Sequence, residues 1–147
     1  MTIEIKRILI VDDSPKDIEL TVSALGENHL ANEIIVAEDG EEALEYLYRR
    51  GKFSEYVKGN PALILLDIKM PKMDGIEVLK IIRADENLKS IPIVMVTSSL
   101  EERDLVKSYS LGANAYVVKP IDIMQFIDAI KVLGQFWVVI NKVPSTT

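Results

Sequence analysis

Cysteine is absent from the 147-residue chain, which excludes a disulfide framework and any metal site built on thiolates. Histidine occurs once, as His29, close to a predicted helix end, and is given no catalytic role. No apolar run exceeds the length of a strand, and Met1–Arg7 lacks the apolar stretch of a secretory signal. Neither membrane insertion nor export is therefore expected, and the chain reads as cytoplasmic. Positive charge is also in short supply. A formal charge of −6 disfavours non-specific attraction to nucleic acid or anionic lipid, so a protein or small-molecule partner is expected. There is no internal repeat, no low-complexity linker and no compositional boundary.

What is present is apolar sequence in short pieces. With 48% of positions hydrophobic, the length suits one compact domain over 1–147, its core at about 6–140 and a frayed tail at 141–147. Runs rich in Ile and Val alternate with segments of helical period, the pattern of an α/β domain with a parallel sheet. Five strands are predicted at Ile8–Val11, Ile34–Ala37, Leu63–Leu66, Ile93–Val96 and Tyr116–Val118, several apolar throughout, as helices covering both faces require. Five helices are predicted between and after them. Ser14-Pro15, Asp39 with Glu42, and Ser99 with Glu102 carry helix-start chemistry. Apolar faces follow at Ile18, Val22 and Leu25, at Ile76, Leu79 and Ile82, and at Leu105 and Tyr109 before a stop at Gly112. The last helix, capped at Asp122, keeps helical spacing through Ile123, Phe126, Ile127, Ile130, Leu133 and Trp137. The polar stretch from Tyr48 to Pro61 reads as a helix end and an exposed connection.

Chemistry-bearing residues sit just past the predicted ends of four different strands. Asp12-Asp13 follows the first, Asp67 the third, Thr97 the fourth and Lys119 the fifth. In open parallel sheets the ligand crevice lies at those carboxyl ends. Carboxylates gathered there repel one another and raise each other's pKa unless a cation neutralises them, and oxygen-only ligation suits Mg²⁺. A purely structural ion would not require a lysine nearby. Lys119 makes sense if a further negative group arrives, such as a phosphoryl group on the carboxylate nucleophile Asp67, with Thr97 donating its hydroxyl to a phosphoryl oxygen.

The segments Ile10-Val11-Asp12-Asp13, Leu65-Leu66-Asp67 through Asp74-Gly75, Val96-Thr97-Ser98 and Ala115-Tyr116-Val117-Val118-Lys119-Pro120 together resemble the receiver domains of bacterial response regulators, over roughly residues 6–140. The resemblance implies a doubly wound, flavodoxin-like five-stranded parallel sheet of order 2-1-3-4-5. It implies a phosphoryl group passed from a sensor histidine kinase to Asp67. Asp13 and Asp67 would ligate Mg²⁺, for which Mn²⁺ can substitute, with Asp12 holding a metal-bound water and the Lys69 backbone carbonyl completing the protein ligands. Tyr116 would be the aromatic side chain that swings inward as Thr97 moves toward the phosphoryl group. The basic stretch after the second helix and the aromatic end of the last are most similar to the small regulators that serve phytochrome-type kinases.

With no output domain in the sequence, phosphorylation is expected to report through a surface of the fourth helix, fifth strand and fifth helix, read by a downstream protein target. That face, or Phe136, Trp137 and Ile140, is expected to support a homodimer. Lys69 and Ser99 flank the path by which water would reach the acyl phosphate. Three competing functions fit the residues less well. A phosphatase of the haloacid dehalogenase class wants a second Asp two residues after the nucleophile, where Lys69 stands. A flavin site would need a phosphate loop after the first strand, where Asp12-Asp13 would repel the phosphate. A receiver-like interaction module independent of phosphorylation would have no use for the full acid set. The chain is accordingly expected to be a signalling domain and not a conventional enzyme.

Overall fold

A computed structural model describes residues 5–27, 30–55, 59–98 and 109–133. The Ile and Val runs form five strands, β1 (Ile5–Val11), β2 (Ala31–Ala37), β3 (Leu63–Asp67), β4 (Ile93–Thr97) and β5 (Ala115–Val118). All pair in parallel in the order β2-β1-β3-β4-β5, as the resemblance implied. Helices α1 (Pro15–Glu27), α2 (Gly40–Tyr48), α3 (Gly75–Ala84) and α4 (Ile123–Leu133) are described, with a short 3₁₀ turn at Gly51–Phe53. Of the segment predicted as the fourth helix only the end is described: the Gly112 N–H donates to the Tyr109 carbonyl at 3.1 Å, and Gly112 has φ +107°, where the chain stops turning. Leu105 and the Ser99/Glu102 cap lie outside the described residues, as do Phe136, Trp137, Ile140 and the tail.

Strand alternation divides the core between the two faces of the sheet. Leu9, Val11, Ile64 and Leu66 pack with Ala43 and Tyr46 of α2 and with Val78, Leu79 and Ile82 of α3. Ile8, Ile10, Leu63 and Leu65 pack on the other side with Leu25 of α1 and with Phe126, Ala129 and Ile130 of α4. Each such side chain, fully buried, contributes roughly 1.5–3 kcal/mol. The central strands are therefore fixed in register, because a slip of one residue would exchange the two apolar sets. On α1 the buried positions are Thr21 and Leu25, while Ile18 and Val22 are only half-buried.

Among the described residues the start signals at Ser14 and Asp122 act as predicted, and that at Asp39 does so in part. The Asp17 N–H donates to Ser14 Oγ at 3.3 Å, and the Gln125 N–H to Asp122 Oδ1 at 2.8 Å. The Glu42 N–H donates to Asp39 Oδ1 at 2.8 Å, but Glu42 returns its own carboxylate to the Glu38 N–H at 2.6 Å. The connection after α2 begins with Arg49 at φ 58°, as its polar composition predicted. Far from the carboxyl ends of the strands, Arg83 closes the opposite end of the sheet, donating to the carbonyls of Gly112, Lys89 and Ile91 and to Asn114 Oδ1 at 2.8–3.0 Å. Among the described residues no helix is long and apolar enough to cross a membrane.

Candidate functional site

Two strands end in the site and do not stop short of it. Asp67 is the last residue of β3, in register with Val96, and Thr97 is the last residue of β4, in register with Val118. The sequence reading put both just beyond their strands. Pairing runs one residue further because the Ile68 N–H still donates to the Val96 carbonyl at 2.9 Å and the Lys119 N–H to the Thr97 carbonyl at 2.8 Å. Both side chains are therefore held by sheet backbone and are buried, Asp67 at 3% and Thr97 at 2% exposure. Asp12 follows β1 and remains tied to β2, its N–H donating to the Ala37 carbonyl at 3.1 Å. Its Oδ1 accepts from the Ser14 N–H at 2.9 Å, which orients the carboxylate and starts the turn into α1.

Asp12, Asp13 and Asp67 converge as the strand order requires, each contributing a carboxylate oxygen to a group within 4.8 Å of one another. Asp12 and Asp67 are buried and Asp13 is exposed, so the group opens to solvent on one side. Lys119 faces them. Its Nζ lies 2.9 Å from Asp17 Oδ2, 3.0 Å from Asp12 Oδ2 and 3.1 Å from Asp67 Oδ2. The Lys119–Pro120 peptide bond is cis. The preceding residue, Val118, is braced by Gln125 of α4: Gln125 Nε2 donates to the Val118 carbonyl at 2.9 Å, and Gln125 Oε1 accepts from the Val118 N–H. Peptide-like pairing by a side chain thus closes this part of an edge strand just before the lysine.

Electrostatics follow the crowding. Burial pushes the Asp67 carboxyl up to about 6; Lys119 pulls it down, while Asp12 and Asp13 add to the rise. Burial by itself would lower the Lys119 ammonium, but Asp17, Asp12 and Asp67 outweigh it and hold the group well above the usual lysine range. Asp17 is held below the usual carboxylate range chiefly by its hydrogen bond from Lys119.

Of the remaining predicted residues, Lys69 is exposed, two residues past Asp67 on the loop that opens from β3. Tyr116, predicted to swing, is 36% exposed on β5, with its ring edge-on to Tyr109 at 6.0 Å and 77°. Two features went unread in the sequence. Asp17 lies in the first turn of α1, three residues after the capping Ser14, and that spacing was the available signal. The Asp74-Gly75 pair is a helix start: Asp74 and Glu77 form a reciprocal capping box at 2.9 and 3.1 Å. Gly75 leaves room for the backbone of Asp67 itself, since a Cβ there would lie 2.1 Å from the Asp67 carbonyl oxygen.

The donor set fits a hard divalent cation: three carboxylates, oxygen only, on a site open at Asp13. Asp12, Asp13 and Asp67 would hold it. One consequence is measurable by thermal unfolding with and without chelator. A divalent cation at about 100 times its Kd is expected to stabilise the protein by about 2.7 kcal/mol, and an unchanged midpoint would show that the cluster binds no such ion.

A parallel sheet of this order, with three acids and a lysine at its carboxyl edge, defines a receiver domain. The chain belongs to that family: the response regulator receiver domain model matches residues 8–131. It is a two-component signalling domain and not a conventional enzyme. Among curated relatives, the response regulator Rcp1 of Synechocystis is 34% identical over 140 residues, covering 95% of this chain and 94% of Rcp1. The solved Mn²⁺-bound form of Rcp1 superposes with a TM-score of 0.73, covering 95% and 97% of the two chains at 34% identity. The bacteriophytochrome response regulator RtBRR is 55% identical with a TM-score of 0.83, covering 96% of this chain and 85% of RtBRR. The phosphorylated cyanobacterial phytochrome response regulator RcpA is 37% identical with a TM-score of 0.75, over 95% and 99% of the two chains.

Proposed function

We propose that Asp67 accepts a phosphoryl group from the phosphohistidine of a sensor histidine kinase, and that Mg²⁺, with Mn²⁺ able to substitute, is the ion of the acidic site. The observation that carries this reading is the Lys119 ammonium 3.1 Å from the buried Asp67 carboxylate, beside three converging acids. Bound there, the dication would supply charge neutralisation for the incoming phosphoryl oxygens. An Asp67 oxygen attacks phosphorus, the P–N bond breaks, the imidazole leaves, and an acyl phosphate remains on the chain. Lys119 balances one phosphoryl oxygen, and Thr97 donates its hydroxyl to another. Asp13 and Asp67, with the Lys69 carbonyl, would hold the dication directly, and Asp12 would hold it through water. The Mn²⁺-bound and phosphorylated states named for Rcp1 and RcpA support both parts of the reading.

The relatives named for phytochromes and bacteriophytochromes support a kinase of that type as the donor. On the modified protein Thr97 draws inward and Tyr116, now exposed against Tyr109, fills the space it leaves. The surface that changes is a concavity of about 340 Å³ lined by Tyr109, Tyr116, Val118, Gln125 and Asp128 among others. A downstream protein target, or a second copy of the chain, reads it. Incubation with acetyl phosphate and Mg²⁺, followed by intact mass, is expected to add one phosphoryl group in a metal-dependent manner. Absence of that gain at saturating Mg²⁺ would refute the reading.

Lys69 stands exposed beside the route water must take to the acyl phosphate. Lys69→Ala is expected to change the first-order decay of the phosphorylated protein by several-fold, an effect of about 1 kcal/mol on the barrier. An unchanged decay rate would remove Lys69 from hydrolysis.

A further inference from the structure

Four carboxylates surround the acceptor pocket, and one of them has no part in the metal site. Asp17 is absent from the group of acids whose oxygens lie within 4.8 Å of one another, yet it makes the shortest of the three contacts to Lys119, 2.9 Å against 3.0 Å for Asp12 and 3.1 Å for Asp67. Its backbone is fixed by the donation of its N–H to Ser14 Oγ at 3.3 Å. Ser14 in turn donates its own N–H to Asp12 Oδ1 at 2.9 Å. One short turn therefore sets Asp12 and Asp17 on either side of the same ammonium. Lys119 and Asp12 are largely enclosed, with side chains 14% and 6% exposed, whereas the Asp17 side chain is 32% exposed at the rim.

These contacts create a conflict. The oxygens of Asp12 and Asp67 that Lys119 now touches belong to the two buried acids on which a dication draws. When such an ion enters, the lysine must yield those partners, and with no other anion in reach it would go on competing with the metal for them. We propose that Asp17 is a positioning residue that keeps Lys119 at the mouth of the pocket while the metal takes up the other acids, and that is exchanged for a phosphoryl oxygen once Asp67 is modified. The proposal rests on Asp67 being the phosphoryl acceptor.

An alternative role is purely structural: an acid in the first turn of a helix favours the positive end of the helix dipole. The two roles differ in what they do to ligands. If Asp17 restrains Lys119, removing its charge lets the lysine compete for Asp12 and Asp67, so the metal binds less well. The same change removes both a competitor and a like charge for the phosphoryl group, so a phosphoryl mimic binds better. A helix-dipole role alters stability and leaves both affinities alone.

The test uses the full chain and Asp17→Asn, with Asp17→Ala as a second variant and urea midpoints to establish that each is folded. Calorimetry would measure Mg²⁺ binding, then beryllofluoride binding at saturating Mg²⁺. The Kd for Mg²⁺ is expected to rise roughly two- to fivefold and that for beryllofluoride to fall by a similar factor, as suits a partly exposed ion pair. Unchanged affinities in both variants, or a loss of both ligands together, would overturn the positioning role. If the unsubstituted protein bound neither ligand, the acceptor reading itself would fall, whatever Asp17 did.

Discussion

Asp67→Asn is expected to take up no phosphoryl group from acetyl phosphate and, when free of metal, to be more stable than the unsubstituted protein at neutral pH. The first effect is all-or-none, because an amide oxygen is not a nucleophile toward phosphorus under these conditions. The second follows from the cost of ionising a buried carboxylate beside Asp12 and Asp13, which pushes Asp67 up to about 6 from 3.8. A group whose folded pKa is raised favours the folded state when protonated. Stability is thus highest below about pH 4 as far as this group is concerned, and it is lost as the pH rises from there through about 6. The loss is on the order of 2 kcal/mol after allowing for screening at the open side of the site. Urea unfolding in chelator at pH 4.5 and 7.5 would reveal it as a pH dependence that Asp67→Asn reduces. Were Asp67→Asn still phosphorylated, the acceptor would be another residue. Were it less stable than its parent at pH 7.5, the contact with Lys119 would outweigh the repulsion among the acids.

Among the described glycines, Gly75→Ala is expected to be the most damaging substitution. An added Cβ would stand 2.1 Å from the Asp67 carbonyl oxygen and 3.0 Å from both the Asp67 carbonyl carbon and Ile68 Cα. All three are backbone atoms at the strand end that carries Asp67, so no side chain can swing aside to make room. The Gly75 N–H also donates to the Ile68 carbonyl at 2.9 Å, and that contact holds the helix start against the strand. The expected loss is about 3 kcal/mol or more. Gly26→Ala is the matched control. It lies within α1 with nothing within 4 Å of an added Cβ, and is expected to gain about 0.5–1 kcal/mol from helix propensity. Equal denaturation midpoints for the two variants would refute the close-approach account. If Gly75→Ala folds, its uptake of phosphate should fall as well, because relief of the clash must displace Asp67.

The two substitutions separate two requirements of the same strand end. Asp67 costs stability and is the proposed acceptor, and Gly75 supplies the space in which the backbone of Asp67 can sit. A site loaded with repulsive charge persists because the sheet on either side is apolar and fixed in register, with Leu65 and Leu66 buried immediately before the acceptor.

The sequence by itself determined the strands, the helix starts at Ser14, Asp39 and Asp122, and the four strand ends that carry Asp12, Asp67, Thr97 and Lys119. Those signals are local: period-two and period-3.6 burial and the chemistry of caps act over a few residues and can be read without knowing what packs against them. The family resemblance added the strand order, which no local pattern contains. Only the tertiary structure decided that pairing carries Asp67 and Thr97 into their strands, that Gly75 meets the Asp67 carbonyl, that Gln125 braces Val118, and that Asp17 shares the lysine. Each of these is a contact across the sheet or between elements far apart in the chain. Lys119 and Asp17 are 102 residues apart and 2.9 Å from each other, and folding alone brings them together.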